Sequence, residues 1–176
     1  MILWRRPPDP VPPLGEDAWR ALTLVIDWIK HAESKAGLTL AAAGAIGGIL
    51  YALINGEKNA SVGFVVAVIV TTVLLLISVA CSAMVLRPRT RATADPSSLL
   101  FYRHVAARYG KRPDAFTDDF GALIRDPDAL LREVATQVWT NSLVADSKYR
   151  WSSRSVVFLL LSLLALGASS LIGLLT

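Results

Sequence analysis

Charge is missing from three long stretches of this chain. Residues 37–54, 61–86 and 156–175 contain no Asp, Glu, Lys or Arg. About 20 apolar residues at ~1.5 Å rise span a ~30 Å hydrocarbon core, and the three runs are near or above that length. An ordinary soluble domain is thereby excluded, in keeping with the positive mean hydropathy. Cysteine is almost absent: Cys81 stands alone, inside the second run. That excludes an intramolecular disulfide and a cysteine-based metal cluster, and leaves Cys81 as a small packing residue. Histidine is nearly as scarce. His31 and His104 are the only two, with no HxxxH or HExxH spacing, so no metal site is expected. The chain shows no nucleophile–base motif, no Gly-rich phosphate loop and no carboxylate pair in a catalytic setting. The reading is therefore of a protein that is not an enzyme and carries no cofactor. The first eight residues, MILWRRPP, lack the apolar stretch of a secretory signal.

What is present is charge in the intervals, and its distribution is uneven. Residues 87–155 hold twelve Lys/Arg and eight Asp/Glu, and so carry the whole net charge of +4. Lys and Arg beside a span mark the cytoplasmic side. Arg87, Arg89 and Arg91 follow the second run, Arg150 and Arg154 precede the third, and Lys30 and Lys35 precede the first. All three clusters agree on one topology: N-terminus cytoplasmic, residues 55–60 outside, 87–155 cytoplasmic, C-terminus outside. Binding of a nucleic-acid polymer is the other reading of a basic excess. The interspersed acids and the place of the basic residues beside spans argue against it.

The expected fold is an all-α membrane protein with three transmembrane helices and a helical cytosolic region between the second and third. Residues 1–16 form a proline-rich arm with Pro7, Pro8, Pro10, Pro12 and Pro13, extended and polyproline-like. From Asp17, Trp19, Leu22, Val25, Ile26 and Ile29 recur at three- and four-residue spacing. Nothing interrupts that stripe, so residues 17–36 are a cytosolic extension of the helix that crosses at 37–54. Asn55-Gly56 breaks it. Pro88 ends the second span. In the cytosolic region, 87–155, the sequence predicts a short helix that includes Leu99, Leu100, Val105 and Ala106 and ends at Gly110. A second should run from Pro113 to about Ile124. The Asp126-Pro127 pair opens the last helix, which should run unbroken into the third span at 156–175, roughly 70 Å in all. Gly44 and Gly48 form GxxxG, and Ser78/Ser82 and Ser169/Gly173 are further small pairs four apart. Such spacing lets helices approach closely in lipid and points to a homo-oligomer.

The last helix carries an odd seam. Leu131, Val134, Val138 and Ala145 follow heptad a and d spacing, but the intervening positions are Asn141 and Lys148. Gln137 precedes Asn141 by one turn. An amide and an ammonium on a face that should be apolar are costly to bury unless paired. Bland explanations are an amide that fixes register and a lysine that snorkels to the interface. The first helix repeats the theme: Asp27, His31 and Lys35 stand at i, i+4 and i+8. Lysines close to the membrane on two helices, with His31, Gln137 and Asn141 nearby, suggest a pocket for a small anion bearing a hydrogen-bonding base. Lysine would meet phosphate, and Asn or Gln an amide-like edge.

Three segments then resemble motifs of the Pycsar effector family. One is His31-Ala-Glu-Ser-Lys35-Ala-Gly, with Glu33 where aspartate is more usual. The others are Pro96-Ser-Ser-Leu-Leu-Phe101-Tyr102, and Gln137-Val-Trp-Thr-Asn141-Ser followed by Ser147-Lys148-Tyr149. Their order and spacing relative to three spans match from about residue 27 to 175. The resemblance implies a bacterial anti-phage effector in the inner membrane. It implies a partner cyclase that makes cyclic CMP or cyclic UMP, and a membrane impaired when the effector senses that nucleotide. The ligand-binding set would then be Lys35, His31, Asn141, Lys148, Gln137 and Tyr149. Two other readings stand beside it. One is a membrane effector answering to a cyclic oligonucleotide. The other is a non-catalytic membrane scaffold that recruits a soluble partner through Trp139, Phe116 and Phe120.

Overall fold

The computed structural model describes residues 14–57, 60–87 and 98–175. Residues 1–13 of the proline-rich arm, Pro88, Arg89, Arg91 and Pro96 of the second motif lie outside the described residues. Five helices follow one another: α1 (Leu14–Gly56), α2 (Val62–Leu86), α3 (Tyr102–Tyr109), α4 (Pro113–Arg125) and α5 (Pro127–Leu175). No strand occurs among the described residues. Three helices, α1, α2 and α5, are long and apolar enough to cross a membrane. The first and third continue well beyond their apolar runs. α5 has 49 residues, about 74 Å of helix.

The ends of these helices follow from local chemistry. Ser61 caps α2 by accepting from the Phe64 N–H at 3.3 Å. Asp126 accepts from the N–H groups of Asp128 and Ala129 at 3.1 and 2.9 Å, with Pro127 as the first helical residue of α5. Pro113 opens α4 in the same way. The expectation for α3 needs correction. Leu99 and Leu100 form a turn, and the helix starts at Tyr102 after an extended Phe101. The Leu100 N–H bonds to Ser98 Oγ at 3.3 Å, a side-chain bond that competes with helix formation.

The chain divides into two compact units, residues 1–27 with 90–143 and residues 28–89 with 144–176. In the first, Leu22, Val25 and Val134 are buried. An aromatic run joins α3 to α4: Tyr109 meets Phe116 edge-on at 5.5 Å, and Phe116 stacks on Phe120 at 5.4 Å. Phe116 and Phe120 therefore belong to a packed cluster, whereas Trp139 is exposed.

The second unit has a different core. Its buried positions recur at steps of three, four and seven: Ala32, Ala36, Thr39, Ala43, Ile46 and Leu50 on α1; Phe64, Thr71, Ser78, Ser82 and Val85 on α2; Ala145, Lys148, Ser152, Ser155, Ser162, Leu166 and Ser169 on α5. That is the spacing of coiled-coil packing. Much of the interior is hydroxyl and methyl, while large apolar side chains such as Leu38, Ile49, Val66, Ile69, Leu76 and Leu164 face outward. Lipid tails are as apolar as leucine, so there is little to gain by burying leucine between spanning helices, and small residues let backbones close up. Several hydroxyls are met locally or across the seam, whereas Ser82 Oγ has no partner. Ser162 and Ser169 donate to carbonyls one turn back at 2.7 and 2.8 Å. Thr71 Oγ1 and Ser169 Oγ lie 3.4 Å apart. Gly44 and Gly48 take no part in this core, since a Cβ at either would meet nothing within 4 Å.

Candidate functional site

The most constrained polar group in the second unit is Lys148, 4% exposed on the inner seam of α5. Its Nζ donates to Glu33 Oε1 on α1 at 2.7 Å and to the main-chain carbonyl of Val85 on α2. One ammonium therefore ties three helices together. Geometry on each side makes this possible. Ala32 and Ala36 are fully buried and pack with Val85, with Tyr149 and Trp151 around them. Because alanine ends at Cβ, the end of α2 can come close to α1. Val85 lies in the last turn of α2, where carbonyls have no partner within the helix and the helix dipole is negative. A lysine there satisfies an acceptor that would otherwise be buried alone. Lys148 is thus paired rather than snorkelling. The two ends of the ion pair differ in access: the Lys148 side chain is 5% exposed and that of Glu33 42%.

Beside this pair stands a second cation. Lys35 is exposed, and its Nζ lies 5.9 Å from the centroid of the Tyr149 ring, within cation–π range. His31 lies on the exposed side of α1, one turn before Lys35. So the second unit brings together Lys35, Lys148, Tyr149 and Glu33, with His31 nearby on the same helix.

Gln137 and Asn141 belong to the first unit. Gln137 Nε2 donates to Ser98 Oγ at 2.9 Å, and Ser98 Oγ donates to Glu133 Oε2 at 2.9 Å. The amide side chain thus has a structural partner of its own. Asn141 is partly buried. His104 is buried, edge-on to Phe101 at 4.8 Å, and neither of its ring nitrogens has a hydrogen-bond partner. It does not belong to a wet face of α3, although Arg103 and Arg108 are exposed. The Tyr109 hydroxyl donates to Asp119 Oδ2. That bond, then desolvation, raises the Tyr109 pKa above its ordinary 10.0, against the opposing pull of Arg108.

Among the described residues no group of three or more His, Cys, Asp or Glu is placed to hold a metal ion. What the second unit offers instead is recognition chemistry: an exposed ammonium, an aromatic ring beside it, and a buried ammonium with an accessible counter-ion. Glu33 and Val85 were not in the candidate set read from the sequence. Glu33 does appear in the quoted motif around His31 and Lys35. The Val85 carbonyl carries no sequence signal beyond its place at the end of an apolar run.

The sequence model of the Pycsar effector protein domain matches residues 17–174. The chain is also similar to the Pycsar effector protein PtPycTM of Propioniciclava tarda, with 31% identity over 153 residues, covering 86% of this chain and 76% of that protein. No solved structure matches it.

Proposed function

The chain belongs to the Pycsar effector family, and from that premise we propose that it is a membrane effector of anti-phage defence that senses a cyclic pyrimidine mononucleotide. The nucleotide, cyclic CMP or cyclic UMP, is made by a partner cyclase. Its recognition uses Lys35, His31, Lys148 and Tyr149. The effector then rearranges or oligomerises and impairs the bacterial inner membrane. Residues 87–155 lie on the cytoplasmic side, as the basic flanks of the spans indicate, and the chain acts without catalysis.

The observation that carries this reading is the Lys35–Tyr149 contact next to Lys148. An aromatic ring stacks a base and ammonium groups hold a phosphate. Two further features support it. The helices that bear Lys35 and Lys148 are the same helices that continue through the apolar runs, so a change in their packing is a change in the spans. Gly44 and Gly48 leave an open small-residue face on α1, suited to a second copy of the chain. A ligand shifts such an equilibrium only by its differential affinity for the two states.

Calorimetry on the full chain in detergent tests recognition. Cyclic CMP or cyclic UMP should bind, and Lys35→Ala should weaken binding at least about tenfold, or ~1.4 kcal/mol. Equal affinity in wild type and variant would remove this pocket. Liposomes holding the protein should release dye when the bound nucleotide is added. A screen that found only cyclic oligonucleotides bound would favour the second effector reading instead.

A further inference from the structure

We propose that Glu33 is the resting counter-ion of the ligand site, and that the nucleotide's phosphate takes the place of its carboxylate at Lys148. The inference rests on the function proposed above and assigns to that site its phosphate subsite and the residue that holds it closed.

The starting point is the cost of a buried ammonium. Lys148 at 4% exposure needs an anion beside it. Of its two partners, the Val85 carbonyl is fixed in the α2 backbone and carries no net charge. The Glu33 carboxylate carries the charge, on a side chain that is 42% exposed. Glu33 can therefore swing into water and be hydrated there, whereas Lys148 cannot follow it. Any exchange must bring an anion to Lys148.

A cyclic mononucleotide is such an anion. Its phosphodiester bears one negative charge, as does the departing carboxylate, so the charge around Lys148 is the same before and after. The exchange also gains a second cation. Lys35 stands two residues beyond Glu33 on α1, over the ring of Tyr149, which follows Lys148 on α5. A phosphate at Lys148 that also draws on Lys35 leaves the Tyr149 ring beside it for the base.

The exchange is selective in what it undoes. Glu33 lies on α1, Val85 on α2 and Lys148 on α5. Removing the carboxylate breaks the tie from α5 to α1 and leaves the tie from α5 to the end of α2 intact. Bound nucleotide thus exchanges the direct Glu33 tie for a bridge from Lys148 to Lys35, two residues further along α1, and the changed spacing of α1 and α5 gives the ligand a route from its binding energy to the spans.

The test compares wild type with Glu33→Gln, which keeps the side chain's size and removes its charge. Calorimetry with cyclic CMP and cyclic UMP on the full chain should show the variant binding about tenfold more tightly, inside the ~5–150-fold range of ordinary coupling. Equal or weaker binding by the variant, with Lys35→Ala still defective, overturns the exchange and leaves the proposed function standing. A second probe is independent of the nucleotide. Inorganic phosphate, against chloride at equal ionic strength, should raise the melting temperature of Glu33→Gln and not that of wild type. If wild type binds neither cyclic nucleotide but phosphate still stabilises the variant, the proposed ligand fails and the counter-ion exchange holds. If phosphate leaves the variant unmoved and nucleotide affinity does not rise, the exchange is wrong. Should Glu33→Gln yield no monodisperse protein, Glu33→Asp retracts the carboxylate by one methylene. It should give a smaller change in the same direction on both probes, and no change on either would overturn the exchange.

Discussion

Ser78 Oγ on α2 donates a 2.8 Å hydrogen bond to the main-chain carbonyl of Ser155 on α5. Seven residues away on each helix, in opposite directions, the Val85 carbonyl accepts from Lys148. The other way, Thr71, seven residues before Ser78, reaches Ser169, fourteen residues beyond Ser155. Near the far end of the seam Gly173 lies beside Phe64. Two antiparallel helices thus meet at heptad intervals, with hydroxyls in layers where a soluble coiled coil would put leucine.

Ser78→Ala should remove one cross-helix bond and cost about 0.6 kcal/mol, the average for hydrogen bonds between spanning helices, and no more than about 1.7 kcal/mol. Ser78→Leu should cost more, about 1–3 kcal/mol, because the site is fully buried and has no room to expand. Unfolding in mixed detergent micelles followed by circular dichroism reads both. Equal stability of the leucine variant and wild type would show that the seam is not closely packed.

Lys148→Met should destabilise the helical bundle by about 1–3 kcal/mol, since the Val85 carbonyl is left buried without a donor. Glu33 loses its partner too, but its exposure lets water replace it. A double-mutant cycle with Glu33→Gln should show a coupling energy above ~0.5 kcal/mol. Strict additivity of the two single changes would mean that the pair contributes nothing as a pair.

Gly173 and Gly44 should behave differently. A Cβ at Gly173 would lie 3.3 Å from both Glu57 Oε2 and Phe64 Cε2, and Phe64 is buried. Gly173→Leu should therefore cost about 1–3 kcal/mol in stability. Gly44→Leu with Gly48→Leu should leave the stability of the single chain within ~0.5 kcal/mol, but should abolish chemical crosslinking between copies in liposomes. Undiminished crosslinking would place the contact between copies elsewhere.

Alkaline titration should find Tyr109 ionising above the ordinary range. The neutral Tyr109 hydroxyl is the form that bonds Asp119, and its pKa is raised for that reason first. Its contribution to the α3–α4 packing is present below pH 10 and is lost as pH rises through the raised value. Asp119→Asn should bring the ionisation back toward the ordinary value, as read by absorbance near 295 nm. An unchanged titration in that variant would mean Asp119 is not the cause.

The helical class and the three candidate spans were legible because apolar length is a one-dimensional signal. So was the register of α5. The spacing that set Asn141 and Lys148 among Leu131, Val134, Val138 and Ala145 continues through Ser152, Ser155, Ser162, Leu166 and Ser169. The site was legible only in part. Lys35 and Lys148 could be named from their helix positions, and Tyr149 from the family motif. That Lys148 is buried against Glu33 and Val85 could not, because those partners lie 115 and 63 residues away in sequence. Periodicity along one helix says nothing about which neighbour it faces. The start of α3 was misread for a local reason: Leu99 and Leu100 have good helix propensity, yet Ser98 offers Leu100 another bond. The burial of His104, which α3 turns inward with Tyr109, had no signal in the sequence.

The serines at 155, 162 and 169 share one phase on α5 with Lys148, and no proline follows Pro127 to let part of that helix pivot independently. Such a rod rolls as a single piece. Were it to roll by even a few tens of degrees about its long axis, every hydroxyl would leave its seat in the same instant, and none could stay behind to hold a neighbour. Any turn of that rod would therefore be felt by every one of these seats together.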